Sequence, residues 1–110
     1  DTIFGGGGKD VLEGGQGADI FGVISLDDGI DAIKDFAIGE DIVDLTRIGI
    51  GSKGDLSLDP GSIRINDYEY SGTILSTIDP NEVAETPLFI FVNDNHEAFV
   101  SNNPLESIFI

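Results

Sequence analysis

Large apolar residues recur at a fixed interval along the start of the chain. Ile3, Leu12 and Phe21 stand nine residues apart, and Asp1, Asp10 and Asp19 keep the same interval two positions earlier. An interval of nine is neither the turn of one helix nor the alternation of one strand, so it marks a repeated unit built from a turn plus a short strand. Glycines fill the space between the apolar positions. Residues 5–13 read GGGGKDVLE and residues 14–22 read GGQGADIFG, both fitting G-G-x-G-x-D-x-U-x with U large and apolar. The glycine-rich part predicts a turn whose backbone angles glycine adopts cheaply. The residues after each aspartate predict a very short strand with U pointing inward. Two units, about 18 residues, complete one turn of a parallel β-roll, so loops two units apart stack on one edge. Asp28 and Ile30 carry the phase into a fourth unit, although residues 23–27 have lost the glycines.

The pattern then changes. Ile30, Ile33 and Phe36 are three apart, which suits a helix, while the repeat phase suits a strand bounded by Gly29 and Gly39. Residues 42–45 form another short apolar run, and the glycines of residues 46–54 predict a loop or a single helical turn. Asp59-Pro60-Gly61 predicts a turn. Ile63 and Ile65 alternate with polar residues as in a half-buried strand, and residues 73–78 and 88–92 are β-rich. The polar stretch 93–97 predicts a hairpin joining 88–92 to 98–100. Residues 107–110 end the chain on apolar side chains. The expected architecture is all-β and a single domain over residues 1–110. Residues 1–45 form a short parallel β-roll, and residues 46–110 form a capping antiparallel sheet or sandwich that covers the roll's open edge.

Charge narrows the partners. Twenty-one acidic residues face five basic ones in 110, for a formal net charge of −16. A chain this acidic has no basic patch for nucleic acid and is repelled by anionic membrane surfaces. Its natural partner is a divalent cation, which relieves the self-repulsion of a compact acidic body. No cysteine is present, so disulfides and thiolate metal sites are excluded. No apolar run reaches the roughly 20 residues that span a bilayer. The chain opens in the middle of a repeat, at Asp1-Thr2-Ile3, as expected of a piece of a longer protein.

Stacked glycine turns offer backbone carbonyls, and the phased aspartates offer carboxylates, an all-oxygen set that suits calcium. The candidate ligands are Gly5, Gly7 and Asp10 in the first loop, then Gly15, Gly17 and Asp19 in the second, which should stack beneath Asp1. Asp28 belongs to the loop that should stack on the first. The competing view is of plain glycine turns with solvated aspartates. Two other stretches have the one–three–five spacing of an EF-hand. Pro60 spoils Asp55–Ser57–Asp59 at the position where glycine is needed, and Ala98 spoils Asn93–Asn95–Glu97. The glycine run is no phosphate loop, because no Gly-Lys-Ser/Thr follows. His96 is the only histidine and reads as a surface residue of an exposed turn. With no nucleophile pair, no metal–histidine cluster and no cofactor loop, the expectation is a non-enzymatic chain.

Together these residues resemble the RTX repeats of proteins exported by one-step secretion systems, among them haemolysins, serralysin-like metalloproteases, lipases and alginate epimerases. Residues 27–45 also resemble the segment that follows the repeats in serralysin carboxy-terminal domains, at Gly29, Asp31, Ile33, Asp35, Phe36, Gly39, Asp41, Val43, Asp44 and Leu45. The resemblance implies a secreted, extracellular or cell-surface protein that binds Ca2+ and folds on it after export. Its implied partners are calcium ions, an upstream domain of the same polypeptide and, during export, the secretion machinery. It also implies that Asp31, Asp35 and Asp41 can complete a last calcium site, and Asp31 ranks first because it follows the turn directly. The alternative is an adhesion module that binds a polysaccharide or cell surface, with Arg64, Tyr68 and Tyr70 as its contact residues.

Overall fold

The computed structural model describes residues 2–25, 29–79 and 84–110. Its strands are β1 (Thr2–Phe4), β2 (Val11–Leu12), β3 (Ile20–Gly22), β4 (Asp31–Ile33), β5 (Ile42–Asp44), β6 (Leu56–Ile65), β7 (Tyr68–Asp79), β8 (Ala84–Val92) and β9 (Ile108–Phe109). One α-helix, α1 (His96–Ser101), and short 3-10 turns at Lys53–Asp55 and Pro104–Ser107 complete the described elements. The fold is all-β, with a parallel roll that runs into an antiparallel sheet.

Successive repeat strands alternate between two sheets, ordered β1-β3-β5-β9 and β2-β4-β8-β7-β6. Thr2 pairs with Ile20, the eighteen-residue turn that the repeat requires. The next turns are longer. Val11 pairs with Ala32 and Ile20 with Ile42, so three and then four residues have been added. The aspartate in register with Asp10 is therefore Asp31 and not Asp28, which corrects the fourth unit expected at Asp28 and Ile30. The true fourth unit is Gly29-Ile30-Asp31-Ala32-Ile33. It places Ile33 in the roll interior and turns Ile30 and Ala32 to the other face of the sheet.

The roll's core lies between the sheets. Leu12, Phe21, Ile33 and Val43, one from each of β2 to β5, are buried there with Leu75, Phe89, Phe91 and Ile108. The capping region does not sit on the roll as a separate layer. It continues both sheets by hydrogen bonding: β8 lies parallel to β4, and β9 lies parallel to β5. That satisfies strand edges that would otherwise template pairing with other chains. Because β8 has neighbours on both sides and packing on both faces, Phe89, Ile90 and Phe91 are all fully buried, with no alternation. Ile90 joins Ile30, Ala32 and Ile65 in a second, smaller cluster on the outer face.

Two local expectations for the capping region are corrected. Asp59-Pro60-Gly61 is not a turn but the middle of β6, which is an edge strand, where proline's missing N–H costs no ladder bond. The chain reverses at Asn66-Asp67 instead. Both residues have positive φ (50° and 67°), the backbone of a two-residue hairpin whose twist matches its strands. Residues 98–100 do not pair with 88–92. They belong to α1, whose first turn is capped by the Asn95 side chain accepting the Ala98 N–H at 3.0 Å. The strand β8 pairs with β7 instead, with a register break beside Ser76–Pro87.

Candidate metal centre

Each repeat strand is entered through Gly-x-Asp: Gly8–Asp10, Gly17–Asp19, Gly29–Asp31 and Gly39–Asp41. The four glycines share one left-handed conformation, with φ of 88°, 88°, 90° and 88°. A side chain there is strained, so glycine sets the corner from which each aspartate projects. Stacking then brings together aspartates from alternate units.

On one edge Asp31 stacks on Asp10. The Asp10 N–H donates to Asp31 Oδ1 at 2.8 Å, and the Ala32 N–H donates to the Asp10 carbonyl at 2.8 Å. The Asp31 carboxylate is buried against Gly5. A methyl group at Gly5 would lie 2.8 Å from Asp31 Cγ and closer still to Oδ2. Gly29 packs on the Gly8 carbonyl, whose oxygen would be 2.9 Å from a Cβ at Gly29. Asp10 Oδ2 is buried and has no hydrogen-bond partner among the described residues. A buried carboxylate oxygen without a donor is costly unless a cation meets it. Two carboxylates stacked against glycine-rich loops offer hard oxygen donors, the chemistry that suits calcium.

The other edge is built differently. The Asp19 N–H donates to Asp41 Oδ1 at 2.9 Å, and the Ala37 N–H donates to Asp41 Oδ2 at 2.8 Å. Asp19 is buried against Gly14. Asp35 reaches the same loop, accepting the Gly14 N–H at 2.9 Å and the Gly15 N–H at 2.8 Å through its two oxygens. The second loop thus has a stacking partner in residues 35–41, where the sequence suggested only a truncated one before it. On this edge the Asp35 and Asp41 oxygens already accept backbone N–H groups.

The sequence-derived candidates can be placed accordingly. Gly5, Asp10 and Asp31 come together on one edge. Gly7, Gly15 and Gly17 are exposed, with open space where a Cβ would be. Asp19 is brought onto Asp41. Asp1 and Asp28 lie outside the described residues. Asp35 and Asp41, ranked behind Asp31, prove to be hydrogen-bonded parts of the stack. The signal for Asp41 was legible, because Gly39-x-Asp41-x-Val43 repeats Gly17-x-Asp19-x-Phe21. No group of three or more His, Cys, Asp or Glu side chains that could hold a metal converges among the described residues.

The neighbouring charges are surface features. Lys34 pairs with Glu13 at 3.0 Å, and that bond holds its ammonium above the ordinary lysine range. Asp44 lies below the usual carboxylate range because Thr46 donates to it through both its hydroxyl (2.6 Å) and its N–H (2.9 Å). The EF-hand-like stretches are excluded by context. Asp55 ends a 3-10 turn and Ser57 and Asp59 lie in β6, while Asn95 caps α1. His96 does not stand free in a turn. It opens α1, half-buried, with Nδ1 bonded to Thr73 Oγ1 at 2.8 Å.

Among known families, residues 1–21 match the one described as RTX calcium-binding nonapeptide repeat (4 copies). No curated protein and no solved structure matches the chain. The repeat phase, the left-handed Gly-x-Asp corners and this match agree: the amino-terminal part of the chain carries RTX calcium-binding nonapeptide repeats.

Proposed function

We propose that this chain is a non-enzymatic, calcium-dependent domain, the carboxy-terminal RTX region of a secreted protein, which folds on calcium binding after export. The observation that carries the reading is the Asp10–Asp31 edge. There a buried carboxylate oxygen lacks a donor among the described residues, and a second carboxylate is pressed against a glycine loop. Charge supplies the mechanism. At −16, with 15 glycines in 110 residues, the chain in low calcium faces both self-repulsion and a large loss of backbone entropy on folding. Calcium bound between the first and third loops, by Asp10, Asp31 and backbone oxygens of the Gly5–Gly8 turn, would neutralise part of that charge. At a calcium concentration 100 times Kd the linkage is worth about 2.7 kcal/mol per site. A low-calcium compartment would keep the chain extended and exportable, and a calcium-rich exterior would fold it.

Circular dichroism tests this. The β signal should be lost in excess chelator and return in millimolar calcium, with a midpoint moved upward by Asp10→Asn and Asp31→Asn. A full β spectrum in chelator would sink the proposal. Native mass spectrometry of the same samples counts the ions.

A further inference from the structure

The chain's two tyrosines form a pair. Tyr68 and Tyr70 flank Glu69 on β7, with ring centroids 4.8 Å apart and planes inclined at 51°. Tyr70 is half-buried and packs on the outer cluster of Ile30, Ala32, Ile65 and Ile90. Tyr68 is 64 % exposed. One ring is therefore anchored while the other stands open to solvent. The pair lines a groove of about 480 Å³ together with Lys34, Glu69, Asn93 and Asp94. Asn93 is held by bonds to Thr73 Oγ1 and the Phe91 carbonyl, so that wall is fixed. A lone exposed aromatic needs no explanation. A tilted pair walling a polar groove on a framework of long paired strands is the form of a preformed small-molecule site.

The charges select the ligand. Glu69 and Asp94 would repel uronates, phosphates and sulfates, as would the acidic body behind them. The groove's cation, Lys34, is already tied to Glu13, and of the groove's two carboxylates Glu69 has Arg64 as a partner, so no pair of free carboxylates converges to hold an organic cation. Nearby, Arg64 faces Glu69 at 3.9 Å. What remains is an uncharged ligand with an apolar face for a tyrosine ring and hydroxyls for mixed donors and acceptors. We infer that this groove binds a neutral oligosaccharide, with one pyranose stacked on Tyr68. The site uses none of the residues of the calcium edge.

The chain contains no tryptophan, so emission excited beyond the phenylalanine absorption band comes from Tyr68 and Tyr70 and reports directly on the groove. Titrations in saturating calcium should use cellohexaose, laminarihexaose and maltohexaose, with an oligoalginate as the charged control. Circular dichroism in the same buffer reads the fold separately, so a failure of calcium-dependent folding cannot be mistaken for a failure to bind sugar. The expected result is a saturable change in emission with at least one neutral sugar. Tyr68→Ala should weaken it about tenfold, and Tyr68→Phe should keep it within about twofold, because the stacking surface and not the hydroxyl is used. Three results would overturn the inference: no saturable change with any neutral sugar, saturation by the oligoalginate alone, or a Tyr68→Ala protein that binds as tightly as the parent.

Discussion

Replacing Gly5 with alanine separates the role of this glycine from that of its neighbours. Gly5 and Gly7 lie in the same loop, Gly7 at the variable third position of the motif, and neither has positive φ, so alanine is compatible with the backbone at both. They differ in what a methyl group would meet. At Gly7 there is open space, whereas at Gly5 the methyl would lie 2.8 Å from Asp31 Cγ and closer to Oδ2. Asp31 cannot swing aside at no cost. It is 5 % exposed, and its Oδ1 accepts the Asp10 N–H. Overpacking of this kind costs about 1–3 kcal/mol. If the carboxylate is driven off, the lost charge-assisted bond adds about 1.5–3 kcal/mol. The expected loss for Gly5→Ala is thus about 2–4 kcal/mol, together with weaker calcium binding, since the displaced carboxylate is a proposed ligand. Gly7→Ala should be neutral or gain up to about 1 kcal/mol, because alanine restricts the unfolded chain. Urea denaturation of both variants in saturating calcium, followed by calcium titration, measures the two effects. Equal stability of the Gly5 and Gly7 variants would refute the steric argument, and unchanged calcium affinity in Gly5→Ala would remove Asp31 from the site.

Other perturbations probe the rest of the stack. Asp35→Ala removes the acceptor for the Gly14 and Gly15 N–H groups; because the site is exposed and water replaces the carboxylate, urea denaturation should show a loss of only about 1 kcal/mol. Asp35→Asn, which keeps one acceptor oxygen, should recover part of it. Phe91→Ala should cost about 3–5 kcal/mol, read as a shift of the urea midpoint in saturating calcium. That ring is fully buried and packs against Phe36 at 4.8 Å and Phe99 at 5.1 Å, tying the roll to α1. Asp44 gives a pH effect of defined sign. Its folded-state pKa is lowered, so its contribution is present above the ordinary value of 3.8 and is lost as pH falls through the folded value. The stability difference between the parent and Asp44→Asn should therefore shrink on acidification through that range in a series of urea denaturations.

Sequence alone determined the parts of this protein that repeat. Glycine at the left-handed corner, aspartate two positions later and a large apolar residue two beyond that are local requirements, so their phase reveals the short strands, the all-β class and the edge on which the aspartates line up. Gly5, Asp10 and Asp31 were all within reach of that reasoning. What only the tertiary structure decided is which loops meet. The loop from Asp19 to Asp31 carries three residues more than the repeat and the next, to Asp41, one more, so counting nine from Asp19 lands on Asp28, whereas the strand register selects Asp31. A residue count cannot see an insertion, but the ladder bonds of β2 with β4 can. The same holds for Asp35, whose partners lie 20 and 21 residues away and are neighbours only because the roll stacks them. In the capping region, Asp59-Pro60-Gly61 has the composition of a turn and lies in a strand because β6 occupies an edge. Residues 98–100 have the composition of a strand and form a helix because β7 already occupies the side of β8 that a hairpin would need. Local chemistry wrote the repeat, while the pairing of β2 with β4 chose the register in which its carboxylates meet.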